Sequence, residues 1–318
     1  MLGLETIVSV GKQATFADPT TLARQSLQLY SISGGQTEAD TDDEILGGGL
    51  QNSSDPVAPA PGLDDHKITV KGPLCINQFA WWNAAFFGDE TPSGSASDYT
   101  HLWKTGQALP IIFLEHQVKS GLLRRHHGLV GESVTVDLDT EREGFGQFEM
   151  TFVGLKETRA NEPLTGAVTA APALLRPAQK LINILYNAVA GGDLMGGKFT
   201  YTRKLKRLRS ADGTGLPYAV VLDGISTLTG SVRTRFENDN FVDDAVAKTE
   251  RALSLQLMNS ATRGIKWDLP HQRLSRQPLS VDGPGGLELS FDFRAWQTTA
   301  DAAMTSRVLN GSATAAFG

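Results

Sequence analysis

The stretch "GQFEMTFVGLKE", residues 146–157, decides the fold: Phe148, Met150 and Phe152 alternate with Gln147, Glu149 and Thr151. A period of two, with one wet side and one apolar side, marks a half-buried β-strand. The same kind of strand returns in "GGLELSFDFRAW", residues 285–296, where Leu287, Leu289, Phe291 and Phe293 alternate with Glu288, Ser290, Asp292 and Arg294.

Working outward, the neighbourhoods of these two strands also match. "LPIIFLEHQVKSG" (109–121) lines up with "ALSLQLMNSATRG" (252–264), and "SVTVDLDTEREGFGQFEMTF" (133–152) lines up with "PLSVDGPGGLELSFDF" (278–293). Strand, turn and amphipathic strand follow in one order, so the chain reads as a divergent duplication of one β unit. The Pro/Ala-rich "EPLTGAVTAAPALLRPAQ" (162–179) is the natural boundary, giving units 1–160 and 161–318, the second opening on a linker or arm over 161–200.

Other elements are read from their periods. "SLQLYSIS" (26–33) and "HKITVKGPL" (66–74) predict strands, and residues 34–65, rich in Gly, Pro, Asp and Ser, predict a long structureless loop. "CINQFAWWNAAFFG" (75–88) predicts a helix lying against a sheet, with Ile76, Phe79, Trp82 and Phe86 on one face. Asn77 is the expected N-cap, Ile76 a staple onto Trp81, and Gly88 the stop. "PAQKLINILYNAVAGG" (177–192) suggests a helix opened by Pro177. "SADGTG" (210–215) marks a hairpin between "KFTYTRKLKRLR" and "LPYAVVLDGI", while "FVDDAVAK" (241–248) is too short and acidic to be an evident counterpart of the aromatic helix.

The chain has 318 residues, 40% hydrophobic and 20% charged, a composition that folds. Its net charge of −6, from 29 basic and 35 acidic residues, argues against tight nucleic-acid binding, which draws on Lys and Arg at phosphates. The lone Cys75 forms no internal disulfide and reads as a buried small hydrophobe. No signal peptide is visible and no stretch approaches the roughly 18–20 apolar residues that span a bilayer, so synthesis in the cytoplasm and no membrane partner are expected.

Catalytic signatures do not emerge. Histidines at 66, 101, 116, 126, 127 and 271 lack zinc-site spacing, so no metal is expected, and His126 and His127 read as a solvated turn beside Arg124 and Arg125. "GDLMGGKF" (192–199) imitates a phosphate-binding loop but carries Phe199 where a hydroxyl should reach magnesium. No cofactor and no enzymatic activity are expected. Two charge runs remain: Glu38, Asp40, Asp42, Asp43 and Glu44 in an acidic loop, and Arg203, Lys204, Lys206, Arg207 and Arg209 in a basic run. Read alone, the first is a solvated loop and the second a nucleic-acid patch; read together, they are a docking pair within one assembly.

The early long loop, the helix after "ITVKGPLCINQ", the strand order ending in "GQFEMTFVGLK", and "GSVRTRFENDNF" followed by "LSVDGPGGLELSFDFRAW" resemble the tail tube proteins of long-tailed bacteriophages, in particular their two-unit members. The resemblance implies a mainly β fold of two tandem sandwich or barrel units with flanking helices, assembled into stacked rings around a β-lined channel. It implies a structural virion protein of a siphovirus tail. Its partners would be itself, head-side terminator and tail-tip proteins, and the tape measure protein and genomic double-stranded DNA in the lumen. The loop at 34–65 would reach the adjacent ring, making the ten charged residues above inter-ring contact candidates. Two units per chain would let three chains close a pseudo-sixfold ring. A tube of a contractile injection machine and a soluble β-sandwich binding module or carbohydrate-active enzyme are the alternatives.

Overall fold

The computed structural model describes residues 7–41, 58–95, 98–119, 121–190, 194–211, 215–235, 240–278, 288–314 and 316. It is mainly β. The first half runs β1 (Val8–Gln13), β2 (Arg24–Leu27), β3 (Ser31–Thr41), β4 (Ala60–Pro73), α1 (Phe79–Phe87), β5 (Ser93–Ser95), β6 (Asp98–Lys104), β7 (Ile111–Lys119), β8 (Leu122–Asp139), β9 (Gln147–Val153) and β10 (Lys156–Ala160). The second runs β11 (Val168–Thr169), β12 (Ile182–Tyr186), β13 (Val189–Ala190), β14 (Leu194–Thr202), β15 (Leu205–Arg209), β16 (Pro217–Leu222), β17 (Thr227–Arg235), α2 (Asn240–Ala247), β18 (Arg251–Ser260), β19 (Arg263–Leu274), β20 (Glu288–Ala295) and β21 (Thr305–Asn310).

Pairing is antiparallel almost throughout, and its order recurs. β1 pairs with β7 as β12 pairs with β18. The trio β3–β4–β9 has the partners of β14–β17–β20, and each trio's middle strand is followed by a helix. β8 carries β7 on one side and, on the other, β10 beside its first residues and β9 beside its later ones. β19 carries β18 on one side and, on the other, β21 and then β20. β14 pairs with β8 from Gly196↔Asp139 to Thr202↔Ser133, so the sheet runs unbroken from one half into the other.

The core is equally continuous. α1 is buried on all sides except at Trp81, as a helix apolar all round must be. Phe79 meets Phe148 of β9 and Trp267 of β19, and Phe86 meets Phe152 of β9 and Tyr201 of β14. Leu194, Phe199, Trp267 and Phe291 therefore share one apolar cluster with Val70, Met150 and Phe152.

Several expectations change. Asn77 does not cap α1: Gln78 occupies the N-cap without a side-chain cap bond, and Asn77 Nδ2 donates to Ala173 O instead. Gly88 does end the helix, at φ 102, donating its N–H to Ala84 O. Residues 182–186 are strand β12 rather than helix, because Ile182 and Ile184 face the core from a sheet edge against β18. Residues 240–247 do form a helix, with Phe241 and Val242 against the core. The 162–179 segment is tied down: Leu22 and Arg24 donate backbone N–H groups to Thr165 and Ala167, and Ile76 donates to Leu175.

Candidate assembly surface

The expected structureless loop is a β-ribbon over its described residues. β3 and β4 pair from Ser31↔Lys71 out to Thr41↔Ala60, with a register shift between Glu38 and Asp40. Only Lys67–Pro73 of β4 also pairs with β9, so the outer ribbon projects with both faces wet. The ribbon's root requires glycine: Gly34 has φ 93, and a Cβ there would lie 2.3 Å from Lys67 O. Glu38 and Asp40 are exposed on β3; Asp42, Asp43 and Glu44 lie outside the described residues.

The basic run occupies the corresponding excursion in the second half, between β14 and β17, as the separate hairpin β15–β16. Its five cations divide three ways. Arg203 follows Phe199 and Tyr201 on the inward side of the chain and is 1% exposed, so the surface role expected for it is corrected: its guanidinium lies 4.5 Å from the Phe86 ring and donates to Phe86 O. Arg207 and Arg209 reach the base of the acidic ribbon in the same chain. Arg207 donates to His66 O and Gly154 O and pairs with Asp65 at 2.5 Å, and Arg209 donates to Asp64 O. Lys204 and Lys206 are exposed. Glu38 stands directly opposite Asp64, a like-charge pair in which the Asp64 carboxylate accepts from Gln36 Nε2 at 2.8 Å.

The ribbon's root is latched onto β10, where Gln36 N–H donates to Glu157 Oε2 and Glu157 N–H to Gln36 Oε1. Arg124 pairs with Glu157. Beneath this latch His66 of β4, His126 of β8 and His116 of β7 form a chain: His66 Nε2 lies 2.9 Å from His126 Nδ1, and His126 Nε2 lies 3.2 Å from His116 Nδ1. Ring planes are within 8° and centroids 5.1 and 5.2 Å apart, the spacing of rings joined edge to edge by N–H···N bonds. Burial holds His66 down to about 4 and His126 down to about 2, and it lowers His116 as well.

Nitrogens of His66 and His126 and a Glu157 oxygen lie within 4.8 Å of one another, a grouping that could hold a metal ion. Their geometry is that of a hydrogen-bonded chain rather than of lone pairs converging on one point. The solvated turn expected at His126 and His127 is thus corrected: both are buried in β8, at 1% and 5% exposed. Sequence spacing gave no sign of this cluster, because its members come from three strands. The phosphate-loop imitation is resolved as β14, where Gly197 and Lys198 pair with Leu138 and Asp137 and no helix follows to receive an anion. No helix among the described residues is long and apolar enough to cross a membrane.

The family model described as "Phage tail tube protein" matches residues 3–295. No curated protein matches the chain. With nearly its whole length matched, the chain belongs to the phage tail tube protein family, structural components of the virion tail.

Proposed function

We propose that the chain is the repeating subunit of the tail tube, built of two like units, 1–160 and 161–318, with three copies closing a pseudo-sixfold ring. Rings stack, and their bore conducts double-stranded DNA during ejection. The observation that carries the reading is the recurrence of pairing order: β1–β7–β8–β9–β4–β3 in the first half is followed by β12–β18–β19–β20–β17–β14 in the second. Within the chain the second unit joins the first head to tail, through β14 on β8. A heterologous contact of that kind, repeated between copies, closes a ring when its rotation divides the circle.

The net charge of −6 suits a bore that lets phosphates slide without sticking. Among the described residues of the two charge runs, Glu38, Asp40, Lys204 and Lys206 are exposed and available between copies, and the two arginines at the ribbon's base stiffen it for that contact. Tape measure protein within the bore, with terminator and tip proteins at the two ends, completes the reading.

Native mass spectrometry and negative-stain microscopy test it. Trimeric rings and tubes of regular axial repeat are expected. Six chains per ring would overturn the two-unit reading, and monodisperse monomers at high concentration would overturn the tube.

A further inference from the structure

The two excursions, the acidic ribbon between β3 and β4 and the basic hairpin between β14 and β17, occupy the same place in the pairing order. One of them already has a seat. The β15–β16 hairpin lies against the first unit where β4 leaves the core and β9 ends, held by Arg207 and Arg209 on Asp64, Asp65, His66 and Gly154. The same place in the second unit is where β17 begins and β20 ends, since β17 pairs with β20 as β4 pairs with β9. A groove of about 480 Å³ opens there, lined by Ile225, Ser226, Thr227, Leu228, Arg294 and Trp296.

We infer that this groove is the seat of the acidic β3–β4 ribbon of a second copy in the same ring, so that Glu38 and Asp40 make an in-ring contact in place of the inter-ring one that the resemblance implied. The inference rests on the ring reading above and deepens it by naming the partner of one surface. Three observations select that occupant. The in-chain precedent places a hairpin from the following unit in the corresponding position, and the unit that follows the second half is the first half of another copy. The groove's charge has the right sign: Arg294 is exposed on β20, and Arg273 stands over Trp296 at 5.0 Å, opposite the exposed Glu38 and Asp40 of the ribbon. Ile225 is 88% exposed at the rim, an apolar contact awaiting cover. In the in-chain case the seat offers the Asp65 carboxylate and the carbonyls of Asp64, His66 and Gly154 to a basic hairpin, whereas this groove offers Arg294 to an acidic ribbon, so the sign of charge distinguishes the two seats.

Cysteine cross-linking tests the seat cleanly, because Cys75 is the chain's only cysteine and is fully buried. Asp40→Cys and Ser226→Cys on one chain should yield covalent dimers and closed trimers under mild oxidation. An equal mixture of the two single variants should yield heterodimers, and either single variant alone should yield none. Arg294→Glu should cut the assembled fraction roughly tenfold, a change of about 1.4 kcal/mol, with partial recovery on adding Glu38→Arg.

Ordinary rings from Arg294→Glu together with no disulfide in the mixture would overturn the seat while leaving the ring reading intact. Covalent ladders running past three chains would overturn its placement within one ring. Absence of rings from the unmodified protein would overturn the parent reading and the seat with it.

Discussion

Glu115→Ala is expected to lower the unfolding free energy by roughly 3–5 kcal/mol, the cost of leaving buried charge without its partner. The carboxylate is 4% exposed on β7 and serves three donors: Arg24 Nη1 on one oxygen, and Arg125 Nε at 2.8 Å and Leu164 N–H at 3.0 Å on the other. Arg24 is itself 3% exposed and donates a second time to Leu164 O. The truncation therefore leaves a buried guanidinium without its carboxylate and a buried amide without its acceptor, and it removes one of the tethers that hold the segment after residue 160 to the first half. Urea unfolding gives the magnitude, and faster proteolysis between residues 161 and 170 reports the released tether. Glu115→Gln, which keeps an acceptor, should cost less. A loss under about 1 kcal/mol for the alanine variant would show that the network adds little.

Acid should weaken the fold through the histidine chain. Above pH 6.5, the ordinary histidine value, His66 and His126 are neutral whether folded or not, and they contribute no pH dependence. As pH falls below 6.5 the unfolded chain takes up protons that the folded chain refuses until about pH 4 at His66 and about pH 2 at His126. Each site then costs about 1.4 kcal/mol per pH unit, or roughly 2 kcal/mol at pH 5 and roughly 4 kcal/mol for the two together. His271, raised by its bond to Glu250 and a second to Asp301, works in the opposite direction. So does His101, where burial lowers the value but bonds to Glu90 and Asn310 outweigh it. The histidine chain is therefore isolated by comparison: between pH 7.5 and 5.0 the double variant His66→Asn, His126→Gln should lose roughly 4 kcal/mol less than the unmodified protein. Equal losses would remove the cluster from the account.

What the residues disclosed and what they hid follows from burial. β9 and β20 were legible because apolar and polar residues alternate along both, although only β20 keeps a fully wet face while Thr151 and Val153 of β9 are buried, and the alignment of 109–121 with 252–264 brings together β7 and β18, which hold the same place in the pairing order. The ribbon was hidden because a two-stranded arm wet on both faces has no alternation to read, and Gly34 and Gly35 imitate a loop. β12 misled because Leu181 and Leu185 on one side and Ile182 and Ile184 on the other leave apolar residues at both phases. Arg203 looked like one cation among five, yet it continues the inward period of Phe199 and Tyr201, the one local signal that sets it apart from its neighbours.

β8 has a last consequence. Its first residues lie between β7 and β10 and its later ones between β9 and β14, so both of its edges are occupied along nearly its whole length. A strand shared in this way is a seam with no slack: one half cannot melt without exposing the backbone amides on which the other is zipped. Heating or pulling should accordingly give a single cooperative transition across the whole chain, and deuterium should reach the β8 amides last.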